Sequence, residues 1–235
     1  QRVEAGGAPR DGGDEPLLLA RRTGVPVYVG TDRPAAVAAA HRRGGCDIVI
    51  SDDGLQHYRM QRSIEVAVID SERQLGNRRL LPAGPLREGA QRLAEVDLIA
   101  VNGDPVEAVC RCTLAHSGSA FRLQPGEPRP VSEGGRPWPG GPAHAVAGIG
   151  HPQRFFRSLT ELGIEAEPHP FADHHRFVAS DLEFVEQRPI IMTEKDAVKC
   201  QDLPQSGQCW YVPVEVEPSR ELEAGVDGIL AKLNT

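Results

Sequence analysis

Short apolar runs, many of them β-branched, alternate with amphipathic stretches along the first half of the chain. The runs are typical of buried strands, and the stretches between them are typical of helices. Strands are predicted at 25–29, 47–50, 64–69 and 98–101, and helices at about 13–20, 32–43 and 91–93. Strands joined through helices by short connections require crossovers, so the pattern predicts a largely parallel sheet with helices on its faces.

The pattern changes near residue 109. Residues 109–123 alternate with a period of two, which indicates a hairpin or a two-stranded linker, and residues 124–142 are rich in Pro and Gly. A second α/β region follows, with strands predicted at 143–147, 164–167, 190–193 and 210–216, and helices at 152–162, 180–187 and 219–233. The prediction is therefore an α/β protein with a parallel-sheet domain at 1–108, a linker at 109–124 and a smaller α/β domain at 125–235.

Composition excludes some classes of function. The chain has 235 residues and a formal net charge of −7. A general nucleic-acid binder needs a basic excess for phosphate contacts, so no nucleic-acid partner is expected. No apolar run approaches the length of a transmembrane helix. Nothing in the sequence indicates an obligate protein partner.

Two adjacent carboxylates follow one of the predicted strands. The run at 47–50 reads as a buried strand, and Asp52, Asp53 and Gly54 come directly after it. In open α/β sheets, ligands bind beyond the carboxyl ends of the strands. Carboxylates at that edge are suited to Mg²⁺. For an isolated Asp-Asp-Gly, a solvated turn is the favoured explanation, because Asp and Gly are ordinary turn residues.

Four other groups carry candidate chemistry. Asp14 and Glu15 stand at a predicted helix start, where acids are also favoured by the helix dipole. Arg87 lies in a loop rich in Gly and Pro and is suited to phosphate, or is a solvated surface residue. The turn at 148–152 has glycines that suit an anion but lacks a full dinucleotide fingerprint. The string at 173–175, Asp-His-His, suits a metal or an assisted base, or is an exposed pair of histidines.

The sequence also lacks some familiar motifs. It contains no G-x-x-x-x-G-K-[ST] phosphate loop, no G-x-S-x-G nucleophile elbow and no protein-kinase catalytic loop. The chain therefore cannot be assigned to a class of enzyme by the common motifs of P-loop proteins, serine hydrolases or protein kinases.

Taken together, the motifs resemble one family, the tetraacyldisaccharide 4′-kinases. The strings that carry the resemblance are Gly13-Asp14-Glu15-Pro16, Ser51-Asp52-Asp53-Gly54-Leu55-Gln56-His57, Leu80-Leu81-Pro82-Ala83-Gly84-Pro85-Leu86-Arg87-Glu88, Gly148-Ile149-Gly150-His151-Pro152, Phe171-Ala172-Asp173-His174 and Thr193-Glu194-Lys195-Asp196-Ala197-Val198-Lys199. The resemblance implies a P-loop-NTPase-like α/β domain, joined by a two-stranded β linker to a smaller α/β domain. It also implies phosphorylation by ATP of the 4′-hydroxyl of an acylated glucosamine disaccharide in lipid A synthesis.

The resemblance implies roles for individual residues. Asp52 and Asp53 match a Walker B-like position that handles Mg²⁺, and Glu15 matches a further metal contact. Asp14 matches the base and His174 the histidine that assists it. Because these two residues fall in different predicted domains, closure of a cleft between the domains is expected to bring them together.

Two further residues and a location follow from the same resemblance. It implies that Arg87 contacts the nucleotide phosphates and that His57 contacts the substrate. The acceptor is a lipid, so the resemblance implies that the enzyme acts peripherally at the cytoplasmic face of the inner membrane. This chain is expected to be a soluble fragment.

The family's phosphate loop lies upstream of the Gly13 string, and this sequence does not contain it. The expectation is therefore a chain truncated at its N-terminus and inactive alone. Two alternatives stay open. A metal-dependent phosphoesterase would use Asp52, Asp53 and the Asp-His-His string, whereas a non-catalytic module would only bind nucleotide or lipid. Metal analysis and nucleotide binding distinguish these readings.

Overall fold

The computed structural model of the protein describes residues 1–105 and 118–234. The described helices are α1 (Pro9–Gly12), α2 (Asp14–Thr23), α3 (Arg33–Gly44), α4 (Pro152–Glu161), α5 (Glu194–Cys200) and α6 (Arg220–Ala231). Short 3₁₀ turns occur at Ala90–Ala94, Ala179–Leu182, Pro204–Gln208 and Lys232–Asn234. None of the described helices combines the length and the apolar character that crossing a lipid bilayer requires.

The strands belong to three sheets. They are β1 (Arg2–Val3), β2 (Val27–Tyr28), β3 (Val66–Asp70), β4 (Leu98–Asn102), β5 (Ser119–Pro125), β6 (Arg129–Pro130), β7 (Ala143–Ala147), β8 (Ala166–Pro170), β9 (Ile190–Thr193), β10 (Cys209–Val212) and β11 (Val214–Pro218). The sheets have the orders β1-β2, β6-β10-β9-β7-β8 and β11-β5-β4-β3. The predicted α/β class, with largely parallel sheets, is confirmed.

The chain forms two compact units, and neither is continuous in sequence. The first unit contains Gln1–His57 and Pro125–Val214. The second contains the described residues of 58–124 and 215–235. Residues 1–57 thus share a compact unit with residues 125–214. The division into domains at 1–108, 109–124 and 125–235 stays a prediction.

The five-stranded sheet is the centre of the first unit. Strands β8, β7, β9 and β10 are parallel, and β6 pairs antiparallel with β10 at the edge. Apolar side chains cover both faces of the sheet, as in other parallel sheets that have a helix on each side. Ala145 packs with Leu159 of α4, whereas Val146 packs in the cluster that contains Ala197 of α5.

The N-terminal segment completes the first unit by packing helix α2 against α5. Leu17 and Ala20 of α2 form a buried cluster with Val3 and with Val198 of α5. Helix α2 ends at Thr23, and the next residue, Gly24, has the left-handed conformation that glycine adopts without strain (φ 66°). This packing carries the acidic start of α2 to the carboxyl edge of the five-stranded sheet.

The second unit contains the four-stranded sheet. Strands β3, β4 and β5 are parallel, and β11 lies beside β5 at the edge of the sheet. Leu98 and Ala100 of β4 pack with Leu222 and Ile229 of α6. The predicted hairpin at 109–123 is described only from residue 118 onwards, where β5 joins this sheet, and residues 106–117 lie outside the described part of the chain.

Two predicted elements are wrong. Residues 47–50 form no strand, and the side chains of Ile48 and Ile50 are 53% and 92% exposed. A strand needs a neighbour to pair its backbone groups, and the described chain offers none at this segment. The helix predicted at 180–187 is only the 3₁₀ turn Ala179–Leu182, because Glu183 takes an extended conformation that ends it.

Candidate active site

A group of polar side chains lies at the carboxyl edge of the five-stranded sheet. Strand β7 is followed by β8 on one side of it, and the chain then crosses over to β9 on its other side. Such a reversal of strand order opens a crevice where ligands bind in open α/β sheets. Gly148 follows β7 and Thr193 ends β9, so the turns after these two strands border that position.

Asp196 joins these two turns. It lies in the first turn of α5 and is completely buried. Its Oδ2 accepts hydrogen bonds from the backbone N–H of Gly148 at 2.9 Å and from Oγ1 of Thr193 at 2.7 Å. The Thr193 hydroxyl in turn accepts from the backbone N–H of Asp196 at 3.1 Å, which caps the helix. Asp196 therefore fixes the loop after β7 to the start of α5.

Lys199 places a buried ammonium group beside Asp196. Its Nζ lies 2.6 Å from Asp196 Oδ1, and its side chain is 6% exposed. The same ammonium lies 5.1 Å from the centre of the Phe177 ring, within reach of a cation–π interaction. Among the described residues neither Nζ nor Asp196 Oδ1 has a hydrogen-bond partner of ordinary geometry, so the contact is an ion pair. This ammonium also points to Asp14.

Asp14 is the carboxylate on which the candidate site centres. It is the first residue of α2, and its side chain is 19% exposed. Its Oδ2 lies 3.9 Å from Nδ1 of His174 and 3.9 Å from Nζ of Lys199. Both residues share a compact unit with Asp14. The expectation that only closure between domains unites Asp14 and His174 is therefore wrong.

His174 adopts a strained backbone conformation. Its φ is 58°, in the left-handed region that few residues other than glycine occupy, and its backbone N–H donates to Oδ1 of Asp173 at 3.0 Å. Strain of this kind persists where surrounding contacts hold it, and it concentrates at functional sites. The side chain of His174 is 65% exposed, so it reaches Asp14 from the solvent side.

Salt bridges hold helix α2 against α5 around this group. Glu15 pairs with Lys195 at 2.8 Å, and Arg22 lies 3.4 Å from Glu194. They fix the helix whose first residue is Asp14. Glu15, expected to contact a metal, therefore already has an ammonium partner.

Gly148 is required by close packing. A methyl group at Gly148 would lie 3.2 Å from Cβ of His175 and 3.3 Å from Oδ1 of Asp196. A methyl group at Gly150 would lie 3.3 Å from Oδ2 of Asp173. The loop after β7 thus approaches the Asp-His-His segment so closely that side chains at these glycines would crowd it.

The structure separates the members of the Asp-His-His string. His175 Nε2 lies 2.9 Å from Oδ2 of Asp181, whereas His174 faces Asp14. The hydrogen bond from His175 is the main reason why the pKa of Asp181 is lowered, with the backbone N–H of Val178 adding to it. The two histidines thus have different partners, and the phosphoesterase reading, which needs them in one metal cluster, is not favoured.

The remaining predicted residues lie elsewhere. Asp52 and Asp53 are exposed in a turn, Asp53 with a left-handed φ of 47°, and His57 ends the first segment of the first unit. Arg87 belongs to the second unit. In the described chain Asp52, Asp53 and Glu15 do not form a cluster of three ligand atoms within 4.8 Å.

The sequence interpretation assigned no role to Lys199 or Asp196. A signal for Asp196 was present, because Thr193 at a strand end with an acid three residues later is typical of a capped helix start. No local pattern marks Lys199 as buried. Its position depends on the packing of α2 against α5, which joins distant parts of the chain.

Comparisons with known proteins identify the same family that the motifs resemble. A family model described as tetraacyldisaccharide-1-P 4′-kinase (LpxK) matches residues 1–231. A protein from Halorhodospira halophila named tetraacyldisaccharide 4′-kinase is 62% identical over 234 residues, covering 99% of this chain and 68% of that protein. One of the same name from Alkalilimnicola ehrlichii is 50% identical over 240 residues, covering 100% of this chain and 69% of that protein.

A solved structure supports the fold. The crystal structure of LpxK from Aquifex aeolicus in complex with ATP is similar to this chain with a TM-score of 0.76. The similarity covers 99% of this chain and 74% of that one, at 23% sequence identity.

Proposed function

We propose a function from one premise: the chain belongs to the tetraacyldisaccharide-1-P 4′-kinase family, whose model matches residues 1–231. The family resemblance predicted from the motifs is confirmed. The proposed reaction transfers the γ-phosphoryl group of ATP to the 4′-hydroxyl of an acylated disaccharide 1-phosphate. The observation that carries the assignment of a site is the position of Asp14 Oδ2, at 3.9 Å from both His174 Nδ1 and Lys199 Nζ.

Asp14 is the base of the proposed mechanism. Its carboxylate accepts the proton of the 4′-hydroxyl as that oxygen bonds to the γ-phosphorus, and the bond between the γ-phosphorus and the β–γ bridging oxygen breaks to release ADP. General bases contribute when they lie within reach of the proton that they remove. Partial exposure of the Asp14 side chain, at 19%, leaves it open to a hydroxyl group.

His174 and Lys199 position that base. His174 is held close to Asp14 by its strained backbone and by the contact of its N–H with Asp173. Lys199 fixes the other side of Asp14 and is itself held by the completely buried Asp196.

The donor set of the chain fits magnesium nucleotide. Mg²⁺ prefers oxygen ligands and is held by one or two carboxylates together with water and phosphate oxygens, so no cage of three protein ligands is needed. The adjacent exposed carboxylates of Asp52 and Asp53 are suited to hold it, with Glu15 as a further contact. When bound, the ion neutralises charge on the phosphates. Arg87 is proposed to contact the phosphates of ATP and His57 the sugar substrate.

The acylated acceptor suggests where the enzyme works. A lipid of this kind resides in a bilayer, so we propose that the protein binds peripherally at the cytoplasmic face of the inner membrane. Sedimentation with vesicles that contain the acceptor measures this binding directly. Equal recovery with and without vesicles would contradict the membrane part of the proposal.

The test is a phosphoryl-transfer assay with labelled ATP, Mg²⁺ and the disaccharide lipid. It is run on the chain alone and on the chain fused to the part of the Halorhodospira halophila relative that it does not span. The fusion is expected to give a 4′-phosphorylated product. In it, Asp14→Asn should lower kcat by about 100-fold or more, the range in which general bases contribute.

The controls separate a site defect from a folding defect. Asp227→Asn and His41→Ala change exposed residues of the same types and should leave kcat unchanged. His174→Ala should lower kcat more than it raises KM, and Asp14→Asn combined with His174→Ala should be little worse than Asp14→Asn, since residues that act as one unit are not additive. Multiplicative losses would contradict the shared-base mechanism. Absence of product from a folded fusion would refute the function itself.

A further inference from the structure

Three potential metal ligands lie on one face of the five-stranded sheet, apart from the group around Asp14. His144 of β7 is directly opposite Glu167 of β8, and His169 follows Glu167 by two residues. Alternate residues of a strand point to the same face of a sheet, and so do residues that stand opposite each other. The strand register therefore brings the three side chains together.

The distances between their ligand atoms are short. Nδ1 of His144 lies 3.1 Å from Nε2 of His169 and 3.6 Å from Oε2 of Glu167. One ligand atom from each of the three residues falls within 4.8 Å of the others. Zn²⁺ binds imidazole nitrogen at about 2.0–2.1 Å. For an ion at that distance from both nitrogens, the N–Zn–N angle would be about 100°, close to the tetrahedral value.

We propose that His144, Glu167 and His169 form a binding site for a divalent transition-metal ion, with Zn²⁺ as the best fit. Two imidazoles and one carboxylate are a ligand set that Zn²⁺ uses in proteins. Imidazole nitrogens select against Mg²⁺, which prefers oxygen, so the site is separate from the handling of Mg-ATP. Glu167 is 55% exposed, which leaves a coordination position open to water.

The surroundings of His144 prepare it as a ligand. The residue is buried, with 3% exposure, and its Nε2 lies 2.9 Å from the backbone carbonyl oxygen of Glu186. An Nε2–H that donates to this carbonyl leaves a lone pair on Nδ1, and a second hydrogen bond of this kind orients most metal-binding histidines. Without metal, an Nε2–H on His169 would donate to that lone pair at 3.1 Å. For an ion to bind both nitrogens, that proton would move to Nδ1 of His169.

Phe184 holds the two rings in position. Its ring stacks on His144 with centroids 4.0 Å apart and lies 4.4 Å from the centroid of His169. This packing holds both imidazole rings in a fixed orientation.

Arg188 competes for the carboxylate. Its guanidinium lies 3.9 Å from Oε2 of Glu167 and also pairs with Glu186. A cation beside a ligand oxygen weakens the attraction for a metal ion. Replacing this arginine should therefore strengthen metal binding, which is the opposite of what loss of an incidental surface contact would do.

The test is a titration of the purified protein with Zn²⁺ in competition with a chromogenic chelator. One equivalent should bind. Glu167→Gln and His169→Ala should each raise the dissociation constant for Zn²⁺ by about tenfold or more. Arg188→Gln should lower it. His41→Ala, a change at an exposed histidine, serves as the matched control and should bind as the unaltered protein does.

Cysteines are the main competing source of ligands, and Co²⁺ distinguishes them. Cobalt bound to thiolate absorbs strongly in the near ultraviolet, whereas cobalt bound to nitrogen and oxygen shows only weak visible bands. The proposed site predicts the second spectrum and its loss in His169→Ala. Unchanged affinity in folded Glu167→Gln and His169→Ala, or a thiolate spectrum for the first equivalent, would overturn the proposal. Because these measurements need no phosphoryl transfer, their outcome is independent of whether the proposed function is correct.

Discussion

Removal of the Asp196 carboxylate is the most informative perturbation of the candidate site. Asp196→Ala deletes the acceptor for the Gly148 N–H and the Thr193 hydroxyl, at 2.9 and 2.7 Å. It also leaves the ammonium of Lys199, 6% exposed, without the partner at 2.6 Å. The variant should fold with a much lower free energy of unfolding.

The expected loss of stability follows from burial of the pair. Breaking a buried ion pair by removing one partner costs about 3–5 kcal/mol, and Asp14, which lies 3.9 Å from the ammonium, offsets part of that cost here. Small domains are stable by about 5–15 kcal/mol, so the loss is a large share of the total. Lys199→Met in the Asp196→Ala background removes the buried charge that has lost its nearest partner and should restore about 1–3 kcal/mol.

Urea unfolding followed by tryptophan fluorescence measures this effect in the correct part of the protein. The chain has two tryptophans, Trp138 and Trp210, and both lie in the first unit with ring centroids 5.5 Å apart. The signal therefore reports the unit that contains Asp196. A loss below about 1 kcal/mol in Asp196→Ala, or a double variant no more stable than Asp196→Ala, would refute the reasoning from a buried, coupled pair.

Two further predictions concern the same edge of the sheet. Gly148→Ala should lower the free energy of unfolding by about 1–3 kcal/mol, because the methyl group meets His175, whereas Gly207→Ala, with open space around it, is the control in the same urea assay. The second prediction concerns Asp181, whose pKa is lowered by the hydrogen bond from His175. The ionised Asp181 therefore stabilises the folded state above its ordinary pKa of 3.8, and this contribution is lost as the pH falls through the lower pKa of the folded state. Asp181→Asn should remove that acid-limb dependence from unfolding curves, and an unchanged dependence would contradict this.

The elements that the sequence predicts well carry local signals. Helix α3 begins at Asp32, whose side chain accepts from the N–H of Ala35, and its Ala-rich body matches the predicted helix. Strand β9 was predicted at its observed residues, 190–193. A cap and a short apolar run are local properties of a sequence, so they are visible without the fold.

The failures depend on distant partners. Residues 47–50 have a strand's composition, but composition does not supply a neighbouring strand. The approach of Asp14 to His174 depends on the packing of Leu17 against Val198, which joins the two segments of the first unit. Neither the pairing of a strand nor the meeting of two segments can be derived from spacing along the chain.

The discontinuous units have a consequence for how the protein is made. The ribosome delivers the chain in order, and strand β10, which completes the core of the five-stranded sheet, ends at Val212. Helix α6, which packs on the other sheet, follows it. The first unit can therefore close only after β10 has been synthesised, and the second only after α6. The segment with Asp14 must wait unpaired for its partner helix α5. Contacts between segments so far apart slow folding, so the nascent chain has a long interval of exposure to chaperones and proteases.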